Sequence, residues 1–233
     1  MIRSANILKR MLFLGVAGIV LIMTVVQFTA QETPDIYYGT QLQPVNMKVK
    51  EYKGIQIYYQ NDKEYNAALT ALAALPETVT ALYENGKIFL SDKEYINKLC
   101  WKKQDEGEYH LSELWHYGMI SDNSELWGYY WGNEKAITVS SILTAEQITE
   151  TVIHEIAHYI DSLIPASKYL SVSQVRKLSD YTSKYSACNN PEHIGSSNDE
   201  AFAESLYFYV INKEMVKEEL PAIYDYWHIF DSR

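Results

Sequence analysis

The stretch that most constrains this chain runs from Thr151 to Asp161 and reads TVIHEIAHYID. In a helix, residues four apart lie on the same face, so His154 and His158 can both direct an imidazole at one ion. Glu155, directly after the first histidine, can reach a water bound to that ion. This HExxH spacing is typical of zinc-dependent hydrolases. It therefore predicts a helical zinc site with Glu155 as the catalytic base.

The helix that carries these histidines is predicted to be buried on one side. Its apolar side chains recur at helical spacing, at Ile153, Ile156, Ala157 and Ile160. Thr144 to Gln147 has the pattern of a capping box, which marks a helix start. The helix is therefore predicted to run from about Ala145 to Leu163, just before Pro165. Its polar face would then look into a cleft.

Composition limits the class of protein and its partners. The chain has 233 residues, 47% of them apolar, with 20 tyrosines and five tryptophans. This suits a folded domain of about 200 residues, or two closely apposed lobes. The residues after position 30 carry 17 basic and 30 acidic side chains, a net charge of −13, so we expect no nucleic acid partner. Such acidity favours solubility, and it could also favour a basic substrate.

Residues 1–30 predict either a signal peptide or an N-terminal membrane anchor. Three basic residues and no acidic one precede the apolar run Met11–Phe28. Its 18 residues exceed the roughly 7–15 of a signal-peptide core and suit a spanning helix of about 17–25, yet cleavage stays open. In both cases the basic flank predicts an extracytoplasmic domain, secreted or anchored to the membrane through residues 11–28.

The fold class predicted for the remainder is α+β. Residues 31–46 are polar and form a predicted linker, so the domain spans 47–233. The part before residue 144 is predicted to carry the sheet, with strands and short helices at Ile55–Tyr59, Lys63–Leu75, Glu77–Tyr83, Lys87–Leu90 and Lys93–Leu99. The part after it is predicted to be mostly helical, from Val175 to Tyr185, from Asn198 onward and after Pro221, with a loop at Cys188–Ser197.

A β-hairpin is predicted directly before the zinc helix. Leu126–Trp131 and Ala136–Ser141 are strand-like and flank a short turn. An exposed strand edge at 136–141 could receive an extended peptide as one more strand, with Trp127 and Trp131 lining the approach. An ordinary paired strand is the alternative.

Two histidines leave a zinc ion one protein ligand short. Asp161 shares their helical face but lies roughly 10 Å further along the axis from His154, too far to bind the same ion. Glu200 and Glu204 lie four apart on a downstream helix of otherwise apolar composition. One of them could bind zinc while the other accepts a hydrogen bond from a ligand.

At these residues the chain resembles a family. His154 to Asp161 together with Asn198 to Glu204, NDEAFAE, is similar to the catalytic domain of anthrax toxin lethal factor and the small secreted Pro-Pro endopeptidases related to it. The likeness covers about residues 75–215, with specific motifs only at the two stretches quoted. It implies a zinc metallopeptidase that acts on protein or peptide substrates, including proline-containing segments. The strand-rich half before residue 144 and the helical half after it predict a two-lobed, zincin-like domain with zinc between the lobes, and we expect it to be a monomer.

The resemblance also implies a role for each motif residue. Zinc would be held by His154, His158 and Glu200, Glu155 would be the base, and Glu204 would support a ligand. The family places a tyrosine seven residues before the glutamate ligand, where it stabilises the oxyanion, and this chain has His193 there. His193 can donate the same hydrogen bond, and Tyr185 or Tyr181 are the alternatives.

The remaining cysteines and histidines give weaker signals. Cys100 and Cys188 could pair in an extracytoplasmic domain or remain two separate thiols. His110 and His116 lack partner spacing and are predicted to lie at the surface.

Two functions follow from these patterns. The first is an extracytoplasmic zinc-dependent endopeptidase that hydrolyses extended protein segments. The second is an inactive, zinc-bound surface module with a binding or regulatory role. The first is favoured, because a binding module would need the ligands but not Glu155.

Overall fold

The computed structural model describes residues 47–92, 127–132 and 135–231. Five strands and a set of helices form an α+β fold, as predicted. The strands are β1 (Lys48–Tyr52), β2 (Ile55–Tyr59), β3 (Lys87–Ser91), β4 (Gly128–Trp131) and β5 (Ala136–Ser140). The helices are α1 (Asp62–Ala74), α2 (Glu77–Leu82), α3 (Ala145–Leu163), α4 (Val172–Tyr185), α5 (Pro191–Ile194), α6 (Asn198–Ile211), α7 (Lys213–Glu219) and α8 (Pro221–His228).

The strands form one mixed sheet in the order β1-β2-β3-β5-β4. The inner pairs β2–β3 and β3–β5 are parallel, whereas β1–β2 and β4–β5 are antiparallel. The predicted hairpin is confirmed, with Gly128 opposite Val139 and Trp131 opposite Ala136. Burial follows strand position, since every residue of β5 is buried whereas β1 is largely exposed.

The predicted substrate edge at 136–141 is wrong. β5 is hydrogen-bonded to β3 on one side and to β4 on the other, so its backbone is already paired. Among the described strands, β4 is the outermost on this side of the sheet. The hairpin could be predicted from the sequence. The neighbour on the far side of β5 is β3, whose paired residues lie 49 positions earlier, and local patterns cannot reveal it.

Helix α3 is the element around which the others pack. It contacts α6, α1, β4 and β5, so it lies between the sheet and the helices of the second half. Its bounds are those predicted, and the capping box is present, with Thr144 Oγ1 accepting from the Gln147 amide at 3.2 Å. Most of its side chains from Ile148 to Ile160 are buried, which is why this helix is apolar around its histidines.

Several predicted elements are found with shifted ends. Helix α4 begins at Val172 and not at Val175, because Ser171 and Gln174 form a capping box three residues earlier. The predicted loop at Cys188–Ser197 contains the short helix α5, whose start is capped by the Asn190 side chain. The sequence patterns did not predict β1, because its exposed side chains carry no period-2 apolar signal.

The segment after α3 is hydrogen-bonded to both helices that carry the motifs of the site, α3 and α6. Asp161 accepts hydrogen bonds from the amides of Ala166 and Ser167 and from the Ser167 hydroxyl, at 2.6–2.9 Å. Asn198 at the start of α6 donates to the Ser167 and Leu170 carbonyls at 3.1 and 3.2 Å. Asp161 is therefore a structural residue that helps to hold α6 against α3.

Several predictions lie outside the described residues. They concern the membrane segment, the linker, the helix at 93–99, Cys100, His110 and His116. Within the described ranges, no helix is long and apolar enough to cross a membrane.

Candidate metal centre

The structure brings both histidines of the HExxH motif to one point. His154 and His158 lie one turn apart on α3, and their Nε2 atoms are 3.1 Å apart. His154 is 8% exposed, so its ring is held by packing. Two imidazole nitrogens at this separation are the arrangement expected of two ligands to one cation.

Helix α6 adds a carboxylate to this pair. Glu200 Oε2 lies 3.0 Å from His154 Nε2 and 3.5 Å from His158 Nε2. Glu200 is placed by the start of α6, where its backbone amide donates to the Ser197 hydroxyl at 3.2 Å. The cap of the helix thus sets the position of its first inward-facing carboxylate.

These three atoms fit a zinc ion. Ligands bound to tetrahedral zinc at about 2.0–2.1 Å lie roughly 3.3 Å from one another. The three separations of 3.0, 3.1 and 3.5 Å are close to that value, so one point can lie about 2 Å from all three ligand atoms. We call this point the metal point. Two imidazoles and a carboxylate are also a donor set that zinc accepts.

His193 on α5 approaches the same carboxylate. Its Nε2 atom lies 2.9 Å from Glu200 Oε2, and His154, His193 and Glu200 offer ligand atoms within 4.8 Å of one another. His193 could therefore replace His158 in an alternative ligand set. The set with His158 is the tighter one, and its histidines are held on one helix, whereas the His193 side chain is 42% exposed. These observations favour His158 over His193 as the candidate third ligand.

Glu204 fixes the orientation of His154. The His154 Nδ1–H donates to Glu204 Oε2 at 3.2 Å, which leaves the lone pair of Nε2 directed at the metal point. Glu204 is one helical turn after Glu200 and is 2% exposed. The two glutamates therefore divide the roles that the sequence left open, with Glu200 at the metal point and Glu204 behind a ligand.

The pKa values of the site residues reflect this crowding of charged groups. Burial alone would lower the pKa of His154, but the hydrogen bonds that its ring donates to Glu200 and Glu204 outweigh burial and raise that pKa well above its usual range. Burial likewise would raise the pKa of Glu200, yet His158 and the other histidines hold it well below the usual range. A cation must displace protons from these histidines, so metal affinity falls as the pH falls.

Glu155 lies against the sheet beside the metal point. It is 7% exposed, and burial raises the pKa of its carboxyl above the usual range. A Cβ placed on Gly128 of β4 would lie 2.6 Å from Glu155 Oε1 and 2.4 Å from Thr151 Cγ2. Only glycine at position 128 leaves room for the Glu155 side chain in this position.

A cavity of about 180 Å³ opens onto the site. It is bounded by β4 and the residue before it on one side, by α3 below, and by α4, α5 and α6 on the other side. Trp127 and His193 line it, as do all the metal-point residues. The cavity therefore joins the metal point to a space in which a ligand can lie.

The other sequence candidates do not reach this cavity. Tyr181 packs edge-on against Phe208, and Tyr185 is 52% exposed at the end of α4. Neither residue lines the cavity, whereas His193 does. Trp131 was expected to line the approach, and this is wrong. Its side chain is buried against Tyr129 and donates to Thr138 at 3.3 Å.

Sequence reasoning gave no role at the site to several residues that line the cavity, among them Gly128, Glu150 and Cys188. Glu150 lies one turn before His154 on α3, so its helical face was available as a signal. Gly128 and Cys188 reach the site only through tertiary packing. Cys188 Sγ lies near Thr151 Oγ1, at 3.8 Å, and burial raises the pKa of its thiol.

If Glu155 is the base that the sequence predicts, we expect Gly128→Ala to slow peptide turnover while zinc is retained. The new methyl group would displace the Glu155 carboxylate, and misplacement of a reacting group by about 1 Å costs roughly 100-fold in rate. Zinc content and kcat/KM measured on the purified variant check this. Gly132→Ala is the matched control, because a Cβ there meets nothing closer than Tyr130 ring atoms at 3.7 Å. Unchanged turnover in Gly128→Ala would show that catalysis does not depend on glycine at position 128.

No protein-family model, curated protein or solved structure matches this chain.

Proposed function

We propose that this protein is an extracytoplasmic zinc-dependent endopeptidase that cleaves extended protein or peptide segments, including proline-containing ones. The single observation that carries the proposal is the metal point. His154 Nε2, His158 Nε2 and Glu200 Oε2 converge within 3.5 Å of one another, and Glu155 lines the same cavity. The extracytoplasmic location rests on the basic and then apolar residues 1–28.

In this proposal His154, His158 and Glu200 hold the zinc ion. When bound, zinc supplies a water of lowered pKa and polarises the scissile carbonyl. Glu155 accepts the proton of the attacking water and passes it to the leaving amine, a role that suits a buried carboxyl of raised pKa. His193 donates a hydrogen bond to the oxygen on which charge develops.

The proposed architecture is the two-lobed, zincin-like one predicted from the sequence. Residues 47–143 would form the lobe with the sheet and 144–233 the helical lobe, with zinc in the cleft between them. Support comes from the cavity, which has Trp127 to Tyr129 on its sheet side and residues of α4 to α6 on its helical side. Every proposed metal ligand belongs to the helical half.

A zinc-bound module without activity is the alternative. It would need the three ligands and Glu204, but not a buried carboxylate beside the metal point. Glu155 is 7% exposed, and Gly128 on the neighbouring strand leaves room for its side chain. Burying a carboxylate costs free energy, and a site that only holds zinc would not need this residue. These observations favour the enzyme.

Metal removal tests the proposal. We expect the purified protein to contain about one zinc ion and to cleave members of a linear peptide library. A chelator should abolish cleavage, and stoichiometric zinc should restore it. Cleavage that persists in metal-free protein would contradict the mechanism. A protein that binds zinc and cleaves no peptide would be the binding module.

A further inference from the structure

Glu150 is a buried carboxylate that neither the metal point nor the proposed chemistry uses. It lies on α3 one turn before His154 and is 1% exposed. Burial of a carboxylate costs free energy unless hydrogen-bond donors replace the water that it loses. A glutamate at this position is therefore expected to make contacts that an apolar side chain could not make.

The partners of Glu150 lie in the connection between α4 and α5 and on α6. The Ser186 hydroxyl donates to its Oε1, and the Ala187 amide donates to its Oε2 at 2.8 Å. The Cys188 thiol and the Tyr207 hydroxyl of α6 are further hydrogen-bond partners of the carboxylate. Glu150 therefore joins the zinc helix to two other parts of the site, and its acceptor positions are taken by the protein itself.

Ser186 extends these contacts through the turn that leads to α5. Its hydroxyl oxygen accepts from the amides of Cys188 and Asn189 at 3.1 and 2.9 Å. The Ala187 carbonyl accepts from Nε2 of Gln147, which also lies on α3, at 3.3 Å. Two side chains of the zinc helix therefore hold this turn.

Residues 186–189, which we call the anchored turn, lead directly into the short helix that carries His193. Asn190 caps this helix by accepting from the His193 amide at 3.3 Å, and the Pro191 carbonyl accepts from Ser179 on α4 at 2.7 Å. The His193 side chain is 42% exposed, so little packing surrounds it. The backbone of α5 must then decide where the imidazole ring lies.

We propose that Glu150 is a positioning residue for His193. By binding the anchored turn, it fixes the start of α5 and thereby holds the His193 ring next to Glu200. His193 Nε2 lies 2.9 Å from Glu200 Oε2, so a small movement of α5 would take the ring away from the metal point. This inference rests on the proposed function, since it takes His193 as the donor to the developing oxyanion.

The kinetics of Glu150→Gln in two backgrounds test the proposal. Glutamine keeps the shape of the side chain, but its amide nitrogen cannot accept a hydrogen bond, so one donor of the anchored turn loses its partner. In the otherwise wild-type protein we expect kcat to fall about 10- to 100-fold, with KM and the zinc dissociation constant changed by less than about threefold. In His193→Ala the same substitution should cost less than about twofold in kcat, because the residue that it acts on is already gone.

Three outcomes overturn the positioning role. The first is an unchanged kcat in Glu150→Gln. The second is a loss of about tenfold or more that persists in the His193→Ala background, because Glu150 would then act through another residue. The third is a zinc affinity that falls as much as kcat, which would mean that Glu150 supports His154.

Two further variants control this test. Glu146→Gln makes the same change at an exposed position one turn earlier on α3 and should leave kcat and zinc affinity unchanged. Ser186→Ala keeps the carboxylate but removes the hydroxyl that holds the anchored turn, so it should repeat the pattern of Glu150→Gln. If Glu150→Gln does not fold, Ser186→Ala decides the outcome by the same criteria.

An NMR measurement separates this proposal from the proposed function. The sample is zinc-loaded protein with isotope-labelled histidine, in which the His193 ring signals are those missing from His193→Ala. Glu150→Gln should shift these signals and leave those of His154 and His158 in place, whereas Glu146→Gln should shift none. If this pattern appears but no peptide is cleaved, the endopeptidase fails and the contact from Glu150 to His193 stands. Unchanged His193 signals in Glu150→Gln overturn the positioning role.

Discussion

Glu155→Gln is expected to lower peptide turnover by about a thousandfold or more while the zinc content stays close to one ion per chain. The glutamine keeps the size of the side chain but cannot accept the proton of the attacking water, and general base catalysis contributes roughly 10²–10⁴ in rate. Zinc content by elemental analysis and kcat on a cleaved library peptide measure the two effects separately.

A matched control for Glu155→Gln lies on the same helix. Glu146→Gln makes the same change on an exposed side chain of α3 and should leave both zinc content and turnover near those of the wild type. If Glu155→Gln turns over substrate as fast as Glu146→Gln, Glu155 is not the base and the metallopeptidase mechanism must be abandoned.

The second large effect is on zinc affinity, and it distinguishes His158 from His193 as the candidate for the third zinc ligand. We expect His158→Ala to lose zinc, with a drop in affinity well beyond the roughly 10–100-fold that follows loss of a residue supporting a ligand. His193→Ala should retain zinc and lose about 100- to 1,000-fold in kcat, the typical cost of removing an oxyanion donor. Zinc titration and steady-state kinetics on both variants provide the comparison.

The opposite pattern would reassign the site. If His193→Ala loses zinc and His158→Ala keeps it, the ligands are His154, His193 and Glu200, the wider of the two sets. His154→Ala and Glu200→Ala should lose zinc under both assignments, because both residues belong to both sets. They serve as the positive controls for metal loss.

Local spacing explains why the helix of the site could be predicted closely. The period of the α-helix places His154 and His158 one above the other whatever the rest of the chain does. The capping box at Thr144 and Gln147 and the proline at 165 delimit the same helix, and the structure has it at Ala145–Leu163. The hairpin before it was readable for a similar reason, since strand periodicity and the turn are both local.

The predictions that were wrong concern contacts between residues that are distant in the sequence. Whether β5 is an edge or an interior strand is decided by β3, and nothing within 136–141 records that partner. Trp127 and Trp131 are four residues apart, so a period-2 pattern places them on the same face of the sheet and cannot distinguish them. They differ in position along the chain: Trp131 ends β4 and is buried, whereas Trp127 lies just before β4 and lines the cavity.

The sequence alone determined that two histidines and a glutamate share one buried helix, and it proposed Glu200 and Glu204 as partners. Only the tertiary structure decided which glutamate meets which histidine, because those contacts join residues 46 and 50 positions apart. It also brought His193 to Glu200, placed Gly128 against Glu155, and joined Glu150 to Ser186 and Ala187. These choices follow from how α6 and β4 pack on α3, and packing is a property of whole surfaces that local periodicity does not contain.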